Sequence, residues 1–230
     1  ESYTGPQLRS DLADGCLVLS FQGHGSAAVL AHEYLWQSLR GVQDVDFVFN
    51  EGKPYFFLSF SCHVNQFSSP IERQAGESLG ESMIIGPQNP PRPSAGAIGS
   101  YASTNFELLP SDRTGRNHLN NWLFRAMFVD PPSDQFLGQS GARVLLGEAL
   151  TLGAVNSSAN TFSLERRAIQ TYCLLGDPST PLETGAPRLY ATANGQPQAS
   201  GVRFQPGTPA DSVALVVDLV DESRIDDLTL

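Results

Sequence analysis

With 230 residues, the chain can hold one large domain, or one medium domain and part of another. A net charge of −10 leaves no general electrostatic attraction for nucleic acid or anionic lipid and argues against both as partners. Hydrophobic residues make up 40% and charged ones 17%, as in a globular chain, and no apolar run nears the roughly 18 residues of a transmembrane segment.

In chain order, Gln7 to Asp14 has helical period and stops at Gly15. Cys16 to Phe21 is a continuous apolar run of strand length, the pattern of a strand covered on both faces, and it ends in Gly23-His24-Gly25-Ser26. Ala27 to Leu39 reads as a helix with Ser26 as its N-cap. A second apolar strand, Tyr55 to Phe60, runs into Ser61-Cys62, and helical spacing returns over Ala75 to Ile85. After a Pro-rich loop at 87–93, a third buried strand covers Ala95 to Ala102 and closes in Ser103-Thr104-Asn105. Helices are predicted at Asn117 to Val129, Ala142 to Leu152 and Ser163 to Leu175. From Pro187 the texture changes to short strands between Gly and Pro turns: Arg188 to Ala193, Val202 to Gln205 and Ser212 to Val220.

Strands alternating with helices predict an α/β domain with a mainly parallel sheet, followed by the start of a small β-domain. In such sheets functional groups gather just beyond the carboxyl ends of the strands. His24 and Cys62 fall there on successive strands. Adjacent parallel strands lie about 4.8 Å apart, so residues past their ends can bring a thiol and an imidazole together. Acyl transfer by a thiol needs that pair, with N–H donors aimed at the developing oxyanion. Gly25 lets the backbone approach a substrate, and its N–H with that of Cys62 can supply the donors.

The residues then resemble a family. Leu17 to Ser26 (LVLSFQGHGS) and Phe56 to Phe67 (FFLSFSCHVNQF) look like the His and Cys strands of the gingipain-type cysteine peptidases, in the caspase-like clan. Gly96 to Thr104 (GAIGSYAST) is similar to that family's pocket strand, and Leu174 to Ser179 (LLGDPS) to the end of its catalytic domain. The resemblance covers roughly residues 7 to 183. It implies Cys62 as nucleophile, His24 as general acid/base, the N–H groups of Gly25 and Cys62 as oxyanion donors, and Ser100, Tyr101, Ala102, Ser103 and Thr104 as the substrate pocket. The implied division is a partial caspase-like domain over 1–184 and the beginning of an immunoglobulin-like β-sandwich over 185–230. Ala31-His32-Glu33 and Ala75-Gly76-Glu77-Ser78 also resemble the sortase-like branch of the type IX secretion system, whose members cleave a sorting domain and join cargo to a surface lipid.

The implied function is a cysteine endopeptidase or sortase-like transpeptidase acting on peptide or protein substrates, in a bacterial secreted or cell-envelope setting with secretion-system partners. The alternative is a catalytically silent caspase-fold binding or scaffold module. The sequence begins at Glu1 without a Met and reads as an excised or processed piece. The family's acidic partner of the His and its first strands are expected upstream, so this piece alone is not expected to be a complete enzyme. Phe106-Glu107-Leu108-Leu109 stands where the family carries an aromatic lid with a Trp, so arginine specificity does not follow.

The remaining candidates read as structural. Cys16 and Cys173 are expected as buried small hydrophobes, and three cysteines at this spacing form neither two disulfides nor a zinc site. His63 is a bystander to Cys62, His32 a packed helix residue and His118 a solvated helix opener. Glu77 and Glu81 read as a solvated helix face, and Asp177 before Pro178 as a turn residue. No cofactor is expected. A structural calcium is the one ion the resemblance suggests, for the acidic tail of Asp218, Asp221, Glu222, Asp226 and Asp227, which lacks EF-hand spacing.

Overall fold

The structure is a computed structural model, and it describes residues 5–67, 77–107, 119–129, 143–160, 169–183, 189–193, 196–198 and 215–219. These fall into two compact units, one within Glu1–Pro132 and Val144–Leu182, the other within Ser133–Arg143 and Glu183–Leu230.

The first unit opens with α1 (Gly5–Asp14), which buries Leu8 and Leu12, one turn apart. Gly15, at φ 98°, ends it and donates its N–H to the Leu12 carbonyl. Then follow β1 (Val18–Gln22), β2 (Val29–Leu30), β3 (Trp36–Leu39), β4 (Val42–Gln43), β5 (Tyr55–Phe60), α2 (Leu79–Ile85), β6 (Ala97–Ser103) and α3 (Leu119–Phe124). A π turn, Arg125–Val129, extends α3, and β7 (Arg143–Leu145), α4 (Leu146–Asn160), β8 (Tyr172–Gly176) and β9 (Pro181–Glu183) complete the series.

The central sheet has the order β1-β5-β6-β8, with β1, β5 and β6 parallel and β8 antiparallel at one edge. Every residue of β5 is buried, because its period of two sends side chains alternately into two covered faces. Tyr55 and Phe57 enter a core built with Leu8 and Leu12 of α1, Trp36 of β3, and Leu79 and Met83 of α2. Phe56, Leu58 and Phe60 enter the opposite core, with Leu119 and Leu123 of α3 and Leu146, Ala149 and Leu150 of α4. Helices thus cover both faces of a mostly parallel sheet, the architecture expected of the class.

Three expectations are corrected. Ala27 to Leu39 is no helix but the β2–β3 hairpin, in which Val29 pairs with Gln37 and Leu30 with Trp36. Ser26 accepts from the Ala28 and Val29 N–H groups at 3.2 and 3.1 Å and so caps a turn rather than a helix. The connecting turn holds Ala31 at φ 61° and Tyr34 at φ 55°, left-handed conformations that no helix passes through. The end of the predicted Ser163 to Leu175 helix is strand β8, whose Cys173, Leu174 and Leu175 pair with Ala102, Tyr101 and Ser100. Arg143–Leu145 is likewise strand, with the helix starting only at Leu146.

In the second unit, β10 (Leu189–Ala193) lies between β11 (Gln196–Gln198) and β12 (Leu215–Leu219) in an antiparallel sheet. The predicted strand Val202 to Gln205, His118, and the acidic residues Asp221, Glu222, Asp226 and Asp227 lie outside the described residues.

Candidate active site at the rim of the sheet

The last registered pair of β1 and β5 is Gln22 with Phe60, and Gly23 donates its N–H to the Phe60 carbonyl at 3.4 Å. Two residues further along each chain stand His24 and Cys62, so the parallel register delivers both to the same rim of the sheet on neighbouring strands. The approach is tight. A Cβ on Gly25 would lie 2.7 Å from Ser61 Oγ and 3.0 Å from Ser61 Cβ, which leaves glycine as the residue that fits. Ser61 is itself held by a 2.6 Å hydrogen bond between its hydroxyl and that of Ser59.

The turn carrying His24 is pinned to the β2–β3 hairpin. Ala31 donates its N–H to the His24 carbonyl at 2.9 Å, and Ser26 donates to the Val29 carbonyl at the same distance. These two bonds flank the Gly25–Leu30 bridge, and the Gly25 N–H takes no part in them. The imidazoles of His24 and His32 face each other with centroids 5.1 Å apart, tilted by 50°. Both are exposed, so His32 is a rim residue and not the packed helix residue expected.

Cys62 is half-buried. Its sulfur accepts a hydrogen bond from the Glu107 N–H at 3.3 Å, and the Glu107 carbonyl lies 3.9 Å away, within reach of the thiol proton. Burial pushes the Glu107 carboxyl up to about 7, against a smaller opposing pull from the Tyr172 hydroxyl. Glu107 Oε2 and the Tyr172 hydroxyl are both buried, and each acts on the other's proton affinity, lowering that of the carboxyl and raising that of the phenol. His63, with left-handed φ 63°, turns its ring edge-on to Phe106 at 4.4 Å and donates its N–H to the Asn105 carbonyl.

Of the residues expected to form the pocket, Ser100 to Ser103 sit on β6, the neighbour of β5 on the side away from β1, and Thr104 follows that strand. Ser100, Tyr101, Ala102 and Ser103 are buried, and Thr104 is partly exposed. Ser100 Oγ donates to Asn65 Oδ1 at 2.8 Å, while Asn65 Nδ2 donates to the Ser100 and Cys173 carbonyls at 3.3 and 3.1 Å. Fully buried Asn65 therefore ties the Cys62 turn to both β6 and β8. Thr104 donates its N–H and its hydroxyl to the Thr171 carbonyl at 2.9 and 2.8 Å.

Sequence reasoning passed over Asn65 and misplaced His32. The Ser-Thr-Asn turn after β6 was the signal available for Glu107, because whatever follows a strand end in this topology arrives at the rim. The other candidates resolve simply. Glu81 accepts from the Ser78 N–H at 2.9 Å and closes a capping box on α2, while Glu77 precedes that helix; the two do not share a helix face. Asp177 Oδ1 accepts from the Ser179 N–H and hydroxyl, bonds that hold its carboxyl below the usual range, as a turn residue should. Cys16 is exposed and Cys173 half-buried, so neither is a fully buried core residue.

No curated protein matches the chain. Among solved structures it is similar to the Arg-specific cysteine proteinase gingipain R, with TM-score 0.59 and 16% identity over 84% of this chain and 40% of that one. It is similar also to the complex of Porphyromonas gingivalis RgpB pro- and mature domains, with TM-score 0.62, 16% identity and the same coverage. The chain thus spans about 40% of the length of those structures. At this identity the likeness shows the fold: a caspase-like sheet of parallel strands flanked by helices. The model of peptidase family C25 matches residues 1–183, and on that match over most of its length the chain belongs to peptidase family C25.

Proposed function

We propose that this chain carries the nucleophile and base of a cysteine endopeptidase, with Cys62 and His24 in those roles. The observation that supports this most is the shared register of β1 and β5, which runs out two residues before His24 and two before Cys62. In the proposed reaction His24 takes the thiol proton and the sulfur adds to the carbonyl carbon of a peptide. The oxyanion accepts hydrogen bonds from the N–H groups of Gly25 and Cys62. Collapse expels the amine, which receives the proton from His24, and leaves a thioester. Water, activated by His24, then releases the acid. An amine in place of water gives transpeptidation, the sortase-like variant.

On this reading β6 and the 105–107 segment border the acyl side of the sulfur. Family membership and the gingipain likeness favour a protein substrate and a secreted or cell-envelope setting. Among the described residues no helix is long and apolar enough to cross a membrane. The antiparallel β10–β12 sheet fits a small β-domain beginning near residue 185. The test is cleavage of a diverse peptide library by the full-length protein, with products mapped in the presence and absence of added amines. Cleavage abolished by Cys62→Ala supports the proposal, with amine-capped products marking the transpeptidase branch. Unchanged cleavage in Cys62→Ala, or none by the unmodified protein, overturns it in favour of a silent binding module.

A further inference from the structure

The hairpin turn that displaced the expected helix builds a cleft beside His24. It holds about 230 Å³ and is lined by His24, Gly25, Ser26, Val29, Ala31, His32 and Tyr34. Its place in the sheet order carries the argument. Across the rim the order is β1, β5, β6, so His24 lies on one side of Cys62 and the β6 segment on the other. In acyl transfer the carbonyl side of the scissile bond stays on the sulfur, while the departing nitrogen must reach the imidazole that protonates it. The residue that contributes that nitrogen, P1′, therefore lies on the β1 side, against this cleft.

The lining gives the chemistry. Tyr34 is 58% exposed, a large aromatic ring held at the rim by a left-handed backbone that an L-residue adopts only at a cost. With His24, His32, Ser26, Val29 and Ala31 it makes a mixed lining of rings, aliphatic residues and polar groups that holds no carboxylate. A cleft this small suits one side chain rather than a whole ligand, since ligand pockets usually start at about 300 Å³. Aromatic rings prefer offset or edge-on partners, which the tilted imidazole pair and the Tyr34 ring provide. We infer that this cleft is the S1′ subsite and that Tyr34 and His32 select there for an aromatic P1′ residue. The inference rests on the peptidase reading, but binding in the cleft needs no turnover.

Phenylalaninamide, which mimics the departing amine, can be titrated into full-length protein carrying Cys62→Ala while the His24 and His32 imidazole resonances are followed by NMR. Both resonances should move saturably, alaninamide should bind at least about fivefold more weakly, Tyr34→Ala should erase the difference, and Tyr34→Phe should keep it. With unmodified protein, cleavage of peptides with Phe at P1′ should exceed that with Ala about tenfold, falling towards parity in Tyr34→Ala with an unchanged P1 preference. Unmoved imidazole resonances, or equal response to alaninamide or aspartic diamide, overturn the subsite. Failure of the peptidase reading shows separately, as intact library peptides beside a cleft that still binds phenylalaninamide.

Discussion

The Glu107 N–H donates to the sulfur of Cys62 across 3.3 Å, joining residues 45 positions apart in sequence. The bond ties the Cys62 turn to the residue that carries a buried carboxyl. That carboxyl titrates near 4.5 in an unfolded chain and at about 7 here, because burial disfavours its charge. The folded state thus holds the proton more strongly than the unfolded one, and stability declines as pH rises from about 4.5 to about 7.

Glu107→Gln should remove that decline while keeping the N–H donor to Cys62. Thermal unfolding at several pH values is the measurement. The variant should melt a few degrees above the parent at pH 8 and match it near pH 4.5. Parallel pH profiles would mean that the Glu107 carboxyl is not the group responsible.

Gly25→Ala should destabilise the chain by about 1–3 kcal/mol, because the added methyl meets Ser61 Oγ and Cβ at 2.7 and 3.0 Å. Ser61→Gly removes both opposing atoms. The double variant in urea denaturation should therefore recover part of the loss that the single Gly25→Ala shows. Additive losses would contradict the tight approach of the two strand ends.

Asn65→Ala should cost about 2–4 kcal/mol by leaving the buried Ser100 hydroxyl and two carbonyls without their partner. Urea unfolding measures it, and a loss under about 0.5 kcal/mol would show that the Cys62 turn does not depend on this tie.

The parts of this fold that were legible are those whose local pattern and tertiary environment agree. Tyr55–Phe60 reads as a buried strand because it is apolar at every position, and it lies between two cores. Once β1 and β5 are read as neighbours, His24 and Cys62 follow as rim residues. The β2–β3 hairpin was not legible, since Ala27, Leu30 and Leu35 mimic helical spacing and its turn is made by Ala31 and Tyr34 at positive φ without a glycine. His32 was lost with it. β8 was misread because a short apolar run does not distinguish an antiparallel edge strand from the end of a helix. Asn65 gave no signal, because its role depends on two strands that arrive 35 and 108 residues later.

The most direct test of the account is the rate of iodoacetamide alkylation at Cys62, mapped by mass spectrometry at pH 7 in the full-length protein and in His24→Ala. The account predicts that Cys62 reacts faster than Cys16 and Cys173 and slows about tenfold or more without the imidazole. Equal rates with and without His24 would contradict it.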